Sequence, residues 1–220
     1  MGKLIVIEGT DGSGKSTQFK ALTQRLSQEG KEFKTLVFPQ YSEPSSALIR
    51  MYLGGEFGEK PSDVNAYAAS AFYAVDRYAS YKKGWGQWYE NGGLIVSDRY
   101  TTSNAVHQAS KLSDEEREPY LNWLFHEEYD LLGLPKPDLV VYLDMPTEIT
   151  EQMRRKREQD TGTHADIHEQ DQAYLQRCRA NAREVVRLCG WTVIRCDRDG
   201  GPRTIEEIHA DVLEAVKELL

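Results

Sequence analysis

The sequence predicts an α/β fold, a five-stranded parallel sheet flanked by helices. Five short apolar runs, Leu4–Glu8, Thr35–Phe38, Gly93–Ser97, Leu139–Leu143 and Thr192–Cys196, are separated by segments of helical periodicity. Strands that alternate with helices build a parallel sheet covered on both faces. The first run is also continuous rather than alternating, as a strand buried on both faces requires. Ligands of such sheets gather at the carboxyl ends of the strands. The segment after the first strand, Pro39 onwards, Asp98-Arg99-Tyr100 and Asp144 all fall at those ends.

Between the strands, Phe19, Leu22 and Leu26 recur at helical spacing, with Gly30 as the stop. Ser45 to Leu53 reads as a short helix after Pro44, and residues 62–89 as mostly helical, starting at Ser62 with Asp63 close behind. Ser113 and Glu116 match a capping box. Residues 147–158 form a short charged helix capped by Thr147, and residues 168–188 a long amphipathic one. The last helix carries Ile205, Ile208, Val212, Ala215, Val216 and Leu219 on one stripe. "LGGEFGEK" at 53–60 and "QDTGTHAD" at 159–166 read as mobile flaps. The expected organisation is a single domain, 1–220, with a lid at about 147–168.

A chain of 220 residues can bury the full core of such a domain. Its net charge of −8 speaks against nucleic acid as a partner, which asks for a basic face, so local basic clusters carry information. No apolar run approaches membrane-spanning length, and the start reads as a strand rather than a leader peptide. The three cysteines, Cys178, Cys189 and Cys196, lack metal-ligand spacing and read as reduced thiols of a cytoplasmic protein.

The segment "IEGTDGSGKST" fits G-x-x-x-x-G-K-[ST] through Gly9, Thr10, Asp11, Gly12, Ser13, Gly14, Lys15 and Ser16, with Thr17 next, and it lies between a strand and a helix. Glycines there let successive N–H groups converge on an anion, and the helix start adds its positive end. Lys15 suits the β- and γ-phosphates of a nucleoside triphosphate, and Ser16 suits Mg²⁺. GTP switches, ATPases and small-molecule kinases all use such a P-loop. The guanine-reading N-K-x-D is missing, since the later strands end in "VYLDMPTE" and "CDRDGG"; a kinase of a small acceptor fits best. In "SDRY", Asp98 can close the metal site directly or through water, and Arg99 can clamp a second phosphate. In "MRRKREQD", Arg154, Arg155, Lys156 and Arg157 are consecutive and cannot all face one ligand. One or two can swing over the phosphates as a lid closes, because transfer between two anions needs more cations than the loop supplies.

Together, "IEGTDGSGKST", "AFYAVDR", "DRYTTSNAVHQ" and the arginine-rich segment before "DIHEQD" resemble the thymidylate kinases, nucleoside monophosphate kinases that make dTDP from dTMP. The resemblance spans nearly the whole chain. Its specific part is Asp11 inside the loop together with Asp98-Arg99-Tyr100. It implies ATP as donor and a homodimer. By position it also implies that Asp11 accepts from the deoxyribose 3′-hydroxyl and that Arg99 holds the dTMP phosphate. Tyr73 stands where the family stacks a phenylalanine on thymine, Arg77 would read a thymine carbonyl, and Ser103 and Gln108 would line the base pocket. The family's catalytic arginine sits in the loop or in the lid. Gly12 occupies the loop position here, which points to Arg154, Arg155 or Arg157. The chain departs from the family pattern at Gln40-Tyr41, where many members carry an arginine for the acceptor phosphate; Arg50 is a substitute on sequence grounds. It departs again at His107, usually Tyr or Phe, and at Ile167-His168.

An acceptor phosphate carrying about −1.5 to −2 charges attacks without a general base, so catalysis would rest on alignment and charge stabilisation. Two other readings stay open on the sequence. A deoxynucleoside kinase would need a carboxylate base, for which Glu8 is available, and a nucleotide-dependent switch would need no acceptor at all.

Overall fold

In the computed structural model the described residues are 1–152, 168 and 171–220, so Arg154, Arg155 and Arg157 lie outside them. Five strands, β1 (Lys3–Gly9), β2 (Phe33–Val37), β3 (Leu94–Asp98), β4 (Leu139–Asp144) and β5 (Thr192–Arg195), form one sheet in the order β2-β3-β1-β4-β5. Every pairing in it is parallel. The helices are α1 (Lys15–Gln28), α2 (Ala47–Leu53), α3 (Ala66–Ser80), α4 (Gly86–Glu90), α5 (Thr101–His107), α6 (Asp114–Phe125), α7 (Gln172–Cys189) and α8 (Ile205–Val216), with a further helical turn at 147–152.

The central strand shows why its sequence is apolar without alternation. Ile5 and Ile7 pack on one face with Val96 and Leu143, against Leu22 and Leu26 of α1 and Ile208 and Val212 of α8. Leu4 and Val6 pack on the other face with Ile95 and Val140, against Trp85 and Tyr100. Both faces are covered, so both sets of side chains must be apolar. The parallel register sets Ile7 opposite Asp98 and Gly9 opposite Leu143, which brings the strand ends to one edge.

Local chemistry explains where the helices differ from the sequence expectation. Residues 62–89 divide into a 3₁₀ turn (Pro61–Asp63), α3, a π-helical turn (Tyr81–Trp85) and α4. The cap of α3 is Asn65, whose Oδ1 accepts from the Ala68 amide at 2.8 Å, and not Ser62. Ser113 and Glu116 form the expected capping box of α6, and Thr204 and Glu207 form another on α8. Helix α7 starts at Asp171, whose carboxylate caps the Tyr174 amide. Residue 147 is already helical and not a cap. Ile205 is 52% exposed, because it opens α8 before the helix settles on the sheet. All three cysteines are free thiols, Cys178 and Cys196 being buried.

Leu22 is fully buried between α1 and the sheet. Leu22→Ala is expected to cost about 2–5 kcal/mol through lost burial and a residual cavity, read as a lower midpoint in denaturant with an unchanged slope.

Candidate active site

The chain leaves β1 and turns into α1 through a loop whose backbone only glycine adopts readily. Gly12 and Gly14 have φ of 78° and 90°, and Gly14 sits left-handed as the cap of α1. A side chain at Gly12 would also collide with the backbone of Thr150, whose carbonyl oxygen lies 2.9 Å from where a Cβ would sit. The Ser13 amide donates to the Thr10 carbonyl and the Thr17 amide to that of Gly14. Among the described residues this leaves the amides of Gly12, Gly14, Lys15 and Ser16 as donors towards an anion. Lys15 is buried and its Nζ donates to the Thr10 carbonyl at 2.9 Å. Burial, and then the nearby Arg99, pull its pKa down. Ser16 Oγ donates to Asp98 Oδ2 at 3.0 Å, so a hydroxyl and a carboxylate meet beside the loop.

Arg99 follows β3 with a left-handed φ of 68°, its amide bonded to the Ile7 carbonyl at 3.2 Å. Its Nη2 donates to Asp11 Oδ1, and its Nη1 lies 3.3 Å from Ser103 Oγ and 3.2 Å from His107 Nε2. Arginine has no acceptor, so His107 Nε2 must accept and the ring proton sits on Nδ1. Burial raises the Asp11 carboxyl, but Arg99 and Lys15 outweigh it and hold the group well below the usual carboxylate range. His107 is kept neutral by burial.

A cavity opens beside this cluster, lined by Asp11, Tyr73, Arg77, Arg99, Ser103 and Gln108 together with Tyr41, His107 and His168. All six residues that the sequence marked for an acceptor therefore meet in one place. The Arg99–Asp11 pair is part of this lining. Arg77 is only 1% exposed; its Nε and Nη2 grip Glu128 at 2.6 and 2.5 Å, and its Nη1 reaches the Tyr100 carbonyl at 3.4 Å. Gln108 is buried, and its Oε1 has no hydrogen-bond partner among the described residues.

Two sequence readings change here. Arg50 does not line the cavity. Its Nη1 ties down the adjoining loop, donating to the Tyr41 and Glu43 carbonyls at 2.8 and 3.1 Å and to Ser46 Oγ at 2.5 Å. Glu8 is fully buried and engaged: it accepts from the Gly9 amide at 2.9 Å and from the Thr102 and Ser103 hydroxyls at 2.7 Å each. A carboxylate held so, outside the cavity wall, is badly placed to deprotonate a nucleoside hydroxyl.

The sequence reading missed Glu128, and also a chain of contacts from His168 to Lys111. His168 Nε2 lies 2.7 Å from the Tyr52 hydroxyl, to which Lys111 Nζ donates at 2.8 Å. Lys111 also donates to the Val64 carbonyl at 2.9 Å. Burial pushes the Lys111 amine down to about 7 and the His168 imidazole down to about 3. The unfolded chain keeps its Lys111 proton up to the ordinary value of 10.5. Between pH 7 and 10.5 it thus binds more protons than the folded state, and this group makes stability rise with pH there. Below pH 7 both states are charged and the folded state bears the whole cost of the buried ammonium. Lys111→Met is therefore expected to raise Tm over wild type most below pH 7. The gain should shrink as the pH of the thermal melt approaches 10.

A family profile described as thymidylate kinase matches residues 7–212. A thymidylate kinase of Mycobacterium tuberculosis is 33% identical over 205 residues, covering 90% of this chain and 94% of its own. One of Danio rerio is 26% identical over 221 residues, covering 100% and 92%. Among solved structures, a thymidylate kinase from Candida albicans aligns with a TM-score of 0.71 at 22% identity, across 99% of this chain and 92% of that one, a likeness of fold. With its P-loop, its Asp-Arg-Tyr turn and a match along nearly its full length, the chain belongs to the thymidylate kinase family.

Proposed function

We propose that this chain transfers the γ-phosphoryl group of ATP to dTMP, giving dTDP and ADP. The observation that carries the reading is the cavity. Its lining joins the phosphate loop to Arg99 through Asp11 and also includes Arg77, Tyr73 and Gln108, whose Oε1 is unpartnered among the described residues. Such a lining suits a small molecule that carries both a phosphate and a hydrogen-bonding ring. The loop amides and Lys15 hold the donor's phosphates, and Arg99 holds that of dTMP. Gln108 Oε1 accepts the ring N3–H, Arg77 donates to a ring carbonyl, Tyr73 packs on the ring and Ser103 lines its edge. Asp11 accepts from the sugar hydroxyl.

An oxygen of the dTMP phosphate attacks the γ-phosphorus in line, and the bond from that phosphorus to the β,γ-bridging oxygen breaks. The nucleophile is already anionic, so no base is required and Glu8 keeps its structural bonds. Ser16 and Asp98 fit Mg²⁺, which takes few protein ligands and completes its shell with phosphate oxygens and water. Such an ion would neutralise charge on the β- and γ-phosphates. Among the described residues no group of three or more His, Cys, Asp or Glu could hold a metal by itself. Gly12 and Thr150 leave the loop no room for an arginine, which supports a lid residue, Arg154, Arg155 or Arg157, as the cation on the transferring group.

The wider assignments rest on the same reading: one domain with a lid at 147–168, a cytoplasmic location and a homodimer. Tyr67, Val75 and Tyr78 on α3 offer apolar surface that a second copy would cover. Among the described residues no helix is long and apolar enough to cross a membrane.

With Mg-ATP, dTMP is expected to yield ADP and thymidine to yield none; turnover of thymidine alone would overturn the reading. Arg99→Ala should lower kcat by about 10²–10³-fold. Of the single alanine substitutions at Arg154, Arg155 and Arg157, one should lower kcat by at least about 10³-fold, while single-turnover assays find the others close to wild type.

A further inference from the structure

Among the described residues two arginines line the cavity, and nothing in the guanidinium group itself says which should meet the acceptor's phosphate and which its ring. Their partners differ. Arg99 pairs with Asp11, and both side chains keep contact with solvent at 19% and 22% exposure. Arg77 pairs with Glu128, the two side chains being 2% and 0% exposed. The Glu128 carboxylate is bidentate on the Nε and Nη2 of Arg77, and its Oε2 also accepts from Thr101 Oγ1 at 2.6 Å. Thr101 opens α5, the helix that carries Ser103, His107 and, at its end, Gln108 to the cavity.

We propose that Glu128 is a positioning and specificity residue that fixes the polarity of the acceptor in the cavity. It takes up one edge of the Arg77 guanidinium and cancels its charge at contact distance. The Nη1 end, which the carboxylate does not hold, is left as a donor with little net charge behind it. Such a donor suits a neutral ring carbonyl. It offers a phosphate little attraction, and a phosphate there would also meet the buried Glu128 charge. Arg99, whose partner keeps 22% of its side chain open to solvent and can be displaced, is left as the phosphate site. By holding Arg77 and Thr101 at once, Glu128 also sets the distance between the α3 and α5 walls. This rests on the reading of the cavity as a nucleoside monophosphate site and adds what orients the nucleotide within it.

The test compares wild type, Glu128→Gln and the paired variant R77M/E128M, which replaces the buried ion pair by apolar side chains of similar length and keeps the site folded if Glu128→Gln does not. Steady-state kinetics with dTMP, dCMP and ATP are measured beside thermal unfolding. In both variants the expected result is a KM for dTMP raised at least tenfold with the KM for ATP within twofold. Glu128→Gln should also narrow the preference for dTMP over dCMP and make inorganic phosphate a stronger competitor of dTMP, since Arg77 regains its charge. A folded variant with unchanged dTMP kinetics and unchanged preference overturns the proposal, as does a parallel rise in both KM values, which marks a merely structural role. Wild-type enzyme inactive on every monophosphate overturns the cavity reading and this inference with it; an active wild type with an indistinguishable variant overturns this inference alone.

Discussion

The site hangs on the ion pair between Asp11 and Arg99. Asp11 belongs to the phosphate loop after β1, and Arg99 to the turn after β3. They meet because these strands are parallel neighbours with Ile7 opposite Asp98. Arg99 is held in a left-handed backbone conformation, costing a non-glycine residue roughly 1–3 kcal/mol. Its amide bond to Ile7 and the Ser97 hydroxyl on its carbonyl oxygen, at 2.6 Å, fix it there. The register of the sheet thus sets the separation of the donor and acceptor halves to within a hydrogen bond.

The electrostatics follow from that closeness. Lys15 is buried and Arg99 largely so, which each would disfavour alone, and Asp11, Asp98 and Glu8 offset them. An acidic chain with net charge −8 thereby keeps two cations together beside the loop. On the proposed reading an incoming phosphate would compete with Asp11 for Arg99, which would make the pair a resting state as much as a binding element. His107, neutral and bonded to Arg99 through Nε2, steadies the guanidinium without adding charge.

The sheet could be read from the sequence because burial on both faces leaves a continuous apolar signal, and the strands fall within two residues of the expected ends. The helix boundaries were harder. Ser62 and Asp63 have cap chemistry but belong to a 3₁₀ turn, and Asn65 takes the cap. The π turn at Tyr81–Trp85 has no local signature in the sequence. The cavity residues stood in recognisable motifs, whereas Glu128 lies in "FHEEYD", where it looks no different from Glu127. The signal for it was indirect: an arginine at position 77, among the small residues of a buried helix face, needs a carboxylate from elsewhere in the fold. Arg50 erred the other way: it stands near the right place in the chain, but its Nη1 is turned to its own loop and it does not line the cavity.

The contact between Gly12 and Thr150 bears on how such a site can change over generations. The Thr150 carbonyl oxygen lies 2.9 Å from where a Cβ on Gly12 would sit, and the loop backbone there is left-handed. A lineage that gained an arginine at position 12 would first have to shift the helical turn carrying Thr150, and until it did the loop would be strained. An arginine at position 12 is therefore closed to this chain in a single step. The form of the loop is held by a glycine as firmly as by any charged residue.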